Sequence, residues 1–341
     1  MKKFLSLKFV VIVVAVASLA ISVPIVIAAT TGPKTIAAPT KMKYFVSPHQ
    51  DDEFQMWSQI ENDPTSYKVF IYPSRGEQTV FCEVDGYAVG YQKNLEFPAG
   101  VTPTGKYSRS CEQSRIDSTI RYFTDMSDSD PTLPGRLVYK GQTGQLPANG
   151  VDICRKDSEP AANGPCTTRD TSAEVWVDSL NRGAVVVFNV GEGDQTQPEV
   201  TWAIQTVLNN RKTLGLNSTL PNDLLLGGYF NNVAGNGCNF YENTDHLAVH
   251  RAIRYVRYNV REQGAAACSV NPDITIKPGT AAGQGTVDAA NVNAAFEVAA
   301  NGERIGAHVA NYGWLHTSYY DVSRTDQSSL FMAPQSFWTI K

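Results

Sequence analysis

Histidine is scarce in this 341-residue chain: there are five, His49, His246, His250, His308 and His316. Any imidazole-based chemistry must draw on that short set. None of the six cysteines forms a Cys-x-x-Cys pair, which removes the usual thiolate zinc and dithiol redox motifs. There is no cluster of Lys and Arg, and the net charge is −4. An acidic chain without a basic patch lacks what a phosphate backbone requires, so no nucleic-acid partner is expected. No repeat of fixed period appears. What is present is an ordinary globular balance, 42% hydrophobic and 18% charged, enough for a core and unlike a disordered chain. The length suits one large domain or one domain carrying insertions.

The N-terminus has the features of an export signal. Lys2, Lys3 and Lys8 come first, then an uncharged apolar run from Phe9 to Ala28, then Ala29, Thr30 and Thr31. Val26 and Ala28 suit the −3 and −1 positions of a cleavage site. Removing residues 1–28 takes the net charge from −4 to −7. The competing reading is an uncleaved anchor, because the run reaches the ~20 residues that span a bilayer; Pro24 and the small-residue exit favour cleavage. Both readings place the rest of the protein outside the cytoplasm, secreted or held at the cell surface. All six cysteines (Cys82, Cys111, Cys154, Cys166, Cys238, Cys268) lie in the exported part, and their even number fits an oxidising compartment. Pairing between sequence neighbours is expected, above all Cys154–Cys166, which closes a short Gly- and Pro-containing loop.

Residues 29–40 read as a linker, and residues 41–262 as an α/β domain. Met42–Val46, Tyr67–Tyr72, Leu137–Tyr139, Ala184–Val190 and Asp223–Phe230 are predicted strands. The continuously apolar Ala184–Val190 suits a strand covered on both faces. Predicted helices cover Glu53–Ile60, Arg109–Phe123, Pro198–Leu208 and Asp245–Arg261. In the last of these Leu247, Ile253 and Val256 form a stripe, with Thr244 as the N-cap. The alternation of strands and helices predicts a mainly parallel, Rossmann-like sheet flanked by helices. Residues 76–108, 142–182 and 263–300 read as insertions or loops stapled by disulfides. Residues 263–341 form a C-terminal extension whose aromatic end (Tyr312, Trp314, Tyr319, Tyr320, Phe331, Phe337, Trp338) is expected to pack back onto the domain.

His49 stands just past the first predicted strand, where open α/β sheets place their sites, and Asp51, Asp52 and Glu53 follow it. An imidazole and several carboxylates crowded into five residues are costly to hold together without a cation. Zinc accepts both donor types and keeps one position for water when it is catalytic. The plain alternative is a solvated acidic turn capping the next helix. Asp245 and His246 open the helix that follows strand 223–230, at the matching sheet edge, and supply the third donor of a His/Asp/His set. His246 and His250 share a helix face, but His250 reads as a packing or hydrogen-bonding residue.

Ser47-Pro48-His49-Gln50-Asp51-Asp52-Glu53, between a strand and a helix, resembles the His-Pro-Asp-Asp-Glu signature of the PIG-L/LmbE-type zinc-dependent de-N-acetylases, the family of N-acetylglucosaminyl-phosphatidylinositol de-N-acetylase. Asn243-Thr244-Asp245-His246 is similar to that family's later His-x-Asp-His element. Ser74-Arg75-Gly76-Glu77 and Arg109-Ser110-Cys111-Glu112 resemble its Thr-x-Gly-Glu and Arg-x-x-Glu elements more weakly. The resemblance covers roughly residues 42–260 and implies that His49, Asp52 and His246 hold Zn2+, with Asp51 as general base. It implies substrate contact for Arg109 and supporting roles for Glu53, Asn243 and Asp245. Gln50 replaces the family's Pro, a change expected to affect loop rigidity alone. Asn243 replaces a histidine that assists the tetrahedral intermediate or protonates the leaving amine, and an amide supplies no proton at neutral pH. Asp51 returning its proton, or His316, would have to serve instead.

The expectation is therefore a secreted, zinc-dependent N-deacetylase acting on an N-acetylated sugar or glycan. Two alternatives stand beside it. One is a secreted glycan-binding protein that keeps the metal but not efficient catalysis; the other is a zinc amidase acting on a non-sugar acyl amide.

Overall fold

The computed structural model describes residues 36–50, 52–79, 82–83, 101–228 and 243–267, and three further strands at 296–298, 304–306 and 336–339. Residues 1–35, with the expected export signal, Asp51, His308, His316, Cys238, Cys268 and most of the aromatic C-terminal segment lie outside the described residues.

An eight-stranded sheet organises the fold. Its strands are β1 (Lys41–Val46), β2 (Ser66–Tyr72), β3 (Leu137–Gln142), β4 (Ala173–Asp178), β5 (Gly183–Phe188), β6 (Asn222–Gly227), β7 (Glu262–Ala267) and β10 (Ser336–Thr339), in the order β10-β7-β6-β1-β2-β5-β4-β3. The five central strands, β7-β6-β1-β2-β5, are parallel; β10, β4 and β3 run antiparallel to their neighbours. A separate two-stranded ladder joins β8 (Phe296–Val298) to β9 (Arg304–Gly306). The boundary expected at residues 262/263 falls inside β7, and residues 336–339 supply that strand's outer neighbour. The sheet thus draws on the C-terminal extension as well.

The parallel strands are covered on both faces, which is why β2 and β5 are buried at every residue. On one face Tyr44, Val46, Val69, Ile71 and Val186 pack with α3 (Gln197–Asn209) and α4 (Thr244–Tyr255). On the other, Phe70 meets Phe123 of α2 (Arg109–Ser129) at 4.3 Å and Phe45 at 5.6 Å between ring centroids. Emptying such a ring site costs about 3–5 kcal/mol. α3 starts with a capping box between Thr196 and Glu199 and has Pro198 in its first turn. Ser108 caps α2 by accepting the Cys111 N–H.

Three predicted boundaries need correction. The segment after His49 begins as a 3-10 turn over Asp52–Met56 and becomes α1 only at Trp57–Ile60. The last helix ends at Tyr255, not Arg261, and its cap is Asn243, not Thr244. Beyond Tyr255, Tyr258 and Val260 bury their side chains on the core as the chain turns into β7, and this long-range packing overrides helical periodicity. The stretch 142–182, expected to be loop, contains β4, paired antiparallel to β5.

Neighbouring cysteines do pair: Cys154–Cys166, as expected, and Cys82–Cys111. Two disulfides fit an oxidising compartment. Among the described residues no helix is long and apolar enough to cross a membrane.

Candidate metal centre

Chain order across the parallel strands runs β1, β2, β5 to one side and then β6, β7 to the other. The direction of growth reverses between β1 and β6, and the crevice beyond their carboxyl ends is where such sheets bind ligands. His49 leaves β1 at that point, and His246 lies in the first turn of the helix following β6.

His49, Asp52 and His246 come together there, all buried, with one donor atom from each lying within 4.8 Å of the others. Asp52 Oδ2 is 3.1 Å from His49 Nδ1 and 3.3 Å from His246 Nε2. Two donors on one tetrahedral zinc, each bonded at about 2.0–2.1 Å, sit roughly 3.3–3.4 Å apart. The carboxylate oxygen therefore stands at nearly the spacing that a shared cation sets. His250, in the next turn of α4, is not part of this group.

Asp245 sets the ring of His49. Its Oδ2 lies 3.0 Å from His49 Nε2. The same carboxylate is fully buried and accepts backbone N–H bonds from Gly193 (2.7 Å) and Gln195 (2.9 Å). With Nε2 facing Asp245, Nδ1 is the nitrogen turned toward Asp52. A carboxylate behind a histidine ring is the usual outer support of a metal-binding imidazole. Glu192 Oε1 stands 3.6 Å from His49 Nε2 and 3.5 Å from Arg115 Nη1.

The electrostatics follow from this crowding. Burial opposes charge on His49, but hydrogen bonds to Asp245 and Asp52, with the Glu192 charge, outweigh it and raise the ring well above its ordinary value. Burial lowers His246 to about 4, aided by the nearby His49. Burial works to raise Asp52, yet His246 and His49 bring it below its usual range. Buried carboxylates gathered on imidazoles in this way suit a bound cation.

The other motif segments converge on the same edge. Gln50, where a proline was expected by resemblance, donates from Nε2 to the Ser74 carbonyl at 3.0 Å, while Ser74 Oγ donates to the Pro48 carbonyl at 3.2 Å. Gln50 thus ties the loops after β1 and β2 together. Gly76 adopts φ +71°, and a Cβ there would fall 2.3 Å from Gln50 Oε1 and 2.5 Å from Arg115 Nε, so only glycine fits. Glu53 is buried and accepts from the Tyr72 hydroxyl at 3.2 Å. Asn243 Oδ1 accepts the N–H groups of Asp245 (2.9 Å) and His246 (3.4 Å), which gives it a capping role. Arg109 is half-exposed and bonded to Glu112 (2.6 Å) and Glu174 (3.0 Å) rather than to the His/Asp/His group.

Glu192, the Gly193 and Gln195 amides, and Arg115 were missed in the sequence. The signal available was Gly191-Glu192-Gly193-Asp194, a glycine- and acid-rich stretch just beyond a strand that ends at the same sheet edge.

No family model, curated protein or solved structure matches this chain. What the fold and the site define is an α/β protein with a buried His/Asp/His group able to hold a metal ion.

Proposed function

We propose that the protein is a secreted, zinc-dependent hydrolase that removes an N-acetyl group from an amino sugar or glycan, on a Rossmann-like domain of the PIG-L/LmbE type. The observation that carries this reading is the buried group His49, Asp52 and His246 at the β1/β6 crevice, with Asp245 behind His49. Two imidazoles and one carboxylate are a donor set that zinc accepts with a position left open. Zinc held there would acidify a water and stabilise negative charge developing on the acyl oxygen.

The chain's own residues do the rest. Asp245 holds His49 in the tautomer that leaves Nδ1 free to bind. Asp51, adjacent in sequence to the ligand Asp52, takes the proton of the attacking water as the bond to the carbonyl carbon forms. It then returns that proton to the amine as the C–N bond breaks, which balances the step without a second acid. Arg109 and the aromatic C-terminal segment are the proposed sugar contacts, Glu53 supports the turn, and the two disulfides suit an extracytoplasmic setting.

One observation favours a second reading. Asn243 is engaged as the α4 cap and offers no proton, which suits a glycan-binding protein that keeps the metal and turns over slowly. Bound zinc and acetate release from N-acetylglucosamine oligomers separate the two. The wild type and Asp51→Asn should both bind zinc, with acetate release at least about 100-fold slower in the variant. Zinc binding without acetate release from the wild type would overturn the enzymatic reading.

A further inference from the structure

We propose that Arg155, carried by the disulfide-closed segment Cys154–Cys166, is a positioning residue of the metal centre that braces the loop holding Asp245. The inference rests on the reading of His49, Asp52 and His246 as metal ligands.

Three consecutive residues of this segment reach the stretch that leaves β5 and enters α3. The Cys154 N–H donates to Glu199 Oε1 at 3.1 Å. Arg155 Nη1 donates to Asn189 Oδ1 at 3.1 Å. Lys156 Nζ pairs with Asp194 Oδ2 at 3.1 Å. Between those anchors Gly191 adopts φ +107° and lies so close that a Cβ would meet the Arg155 Cα at 3.1 Å. This braced stretch contains Gly193 and Gln195, whose amides hold Asp245. A carboxylate held by two backbone amides is only as fixed as the backbone that presents them.

The far side of Arg155 is anchored as firmly. The guanidinium is buried against Glu112, receives further support from Asp157 (2.5 Å) and donates to the Tyr107 carbonyl at 3.1 Å. Tyr107 sits at φ +59°, a costly conformation for a bulky residue. Its own N–H bonds the Glu77 carbonyl at 2.6 Å. Glu77 Oε1 is 3.6 Å from Arg155 Nε and accepts the Glu192 N–H at 3.0 Å. Arg155 therefore links the loop after β2 to the loop after β5. The Cys154–Cys166 bond and the bridge between Arg155 and Thr168 keep its backbone in place. Contact runs from Arg155 through the 189–195 backbone to Asp245 and from there to His49.

The test uses the full chain and two readouts besides activity: zinc affinity by competition with a chromophoric chelator, and the visible absorption of the Co2+-loaded protein. Arg155→Met should bind zinc about 10–100-fold more weakly, the range found when outer support of a ligand is lost. Its Co2+ bands should shift in position or intensity as His49 loses its fixed orientation. Arg155→Lys, which keeps the charge but not the planar fork, should fall between, roughly fivefold weaker than wild type. Wild-type affinity and Co2+ spectrum in a folded Arg155→Met protein would overturn the proposal. If Arg155→Met does not fold, Arg155→Lys decides by the same criteria. Failure of the wild type itself to bind zinc would remove the metal reading and this inference with it. Tight zinc binding by the wild type and both variants alike would remove this inference alone.

Discussion

Each end of the parallel strands carries a buried cluster of ionisable groups, and the two clusters are built differently. At the N-terminal end Lys43 and Lys68 lie side by side in register on β1 and β2. Lys43 Nζ meets Asp63 Oδ2 at 2.7 Å, and Lys68 Nζ donates to the carbonyls of Asp63 (2.6 Å) and Thr132 (2.8 Å). Arg182 forks onto Asp178, Nε to Oδ2 at 3.0 Å and Nη2 to Oδ1 at 3.1 Å. Cations there are matched from within the chain. At the C-terminal end, carboxylates of Asp52, Asp245 and Glu192 crowd around two imidazoles, and Arg115 faces Glu192 at 3.5 Å. The matched cluster holds the fold together. The other gathers His49, Asp52 and His246, a group able to hold a metal ion, and this difference in charge balance, rather than burial alone, separates the two edges.

The largest expected effect lies at the matched edge. Asp63→Ala strips a buried lysine of its carboxylate and should cost about 3–5 kcal/mol in urea unfolding, whether zinc or chelator is present. Asp52→Ala should behave otherwise. At free zinc 100-fold above its Kd the wild type gains about 2.7 kcal/mol, and this variant should gain none of it. An equal loss for both variants in chelator would break the comparison.

A smaller effect is the pH dependence of the matched edge. Burial acts to raise the Asp63 carboxyl, but the charge and hydrogen bond of Lys43, with Ser66 and Thr65, hold it well below the usual carboxylate range. A depressed folded value means the stabilisation is complete above the unfolded value near ~4 and is lost as pH falls below it. Lys68 has the same sign of dependence in a more alkaline window. Burial brings it down to about 8 against the charges of Asp63 and Asp130. The folded state then gives up its proton before the unfolded one, so stability rises from pH ~8 to ~10.4. Urea midpoints across pH should show both slopes, and Asp63→Asn should flatten the acid one.

Smallest is Asn243→Ala, which removes the α4 cap and should cost about 1 kcal/mol. Because the lost acceptor serves the N–H groups of Asp245 and His246, zinc affinity should weaken as well. An unchanged affinity would mean that the cap matters to the helix and not to the metal group.

Much of this was legible in the residues themselves. The run Ala184–Phe188 reads as a covered strand because every position is apolar, and Pro198 followed by the acidic Glu199 marks a helix start. His49 and His246 could be placed because each follows a strand. β4 was not legible: Glu174 and Asp178 interrupt its apolar pattern, and pairing with β5 stabilises it. The end of α4 depended on Tyr258 and Val260 finding the core. The bond between His49 and Asp245 joins residues 196 apart, and no local pattern announces it. Arg155 lies in a segment that reads as loop, and only its contacts give it a role.

Zinc titration of the full chain by calorimetry, alongside His246→Ala, reads the His49, Asp52 and His246 group itself. One zinc should bind per wild-type chain, and the variant should lose affinity beyond the ~100-fold upper limit for outer-support changes. A wild type that binds no zinc, or a His246→Ala protein that binds it equally well, would contradict the metal reading.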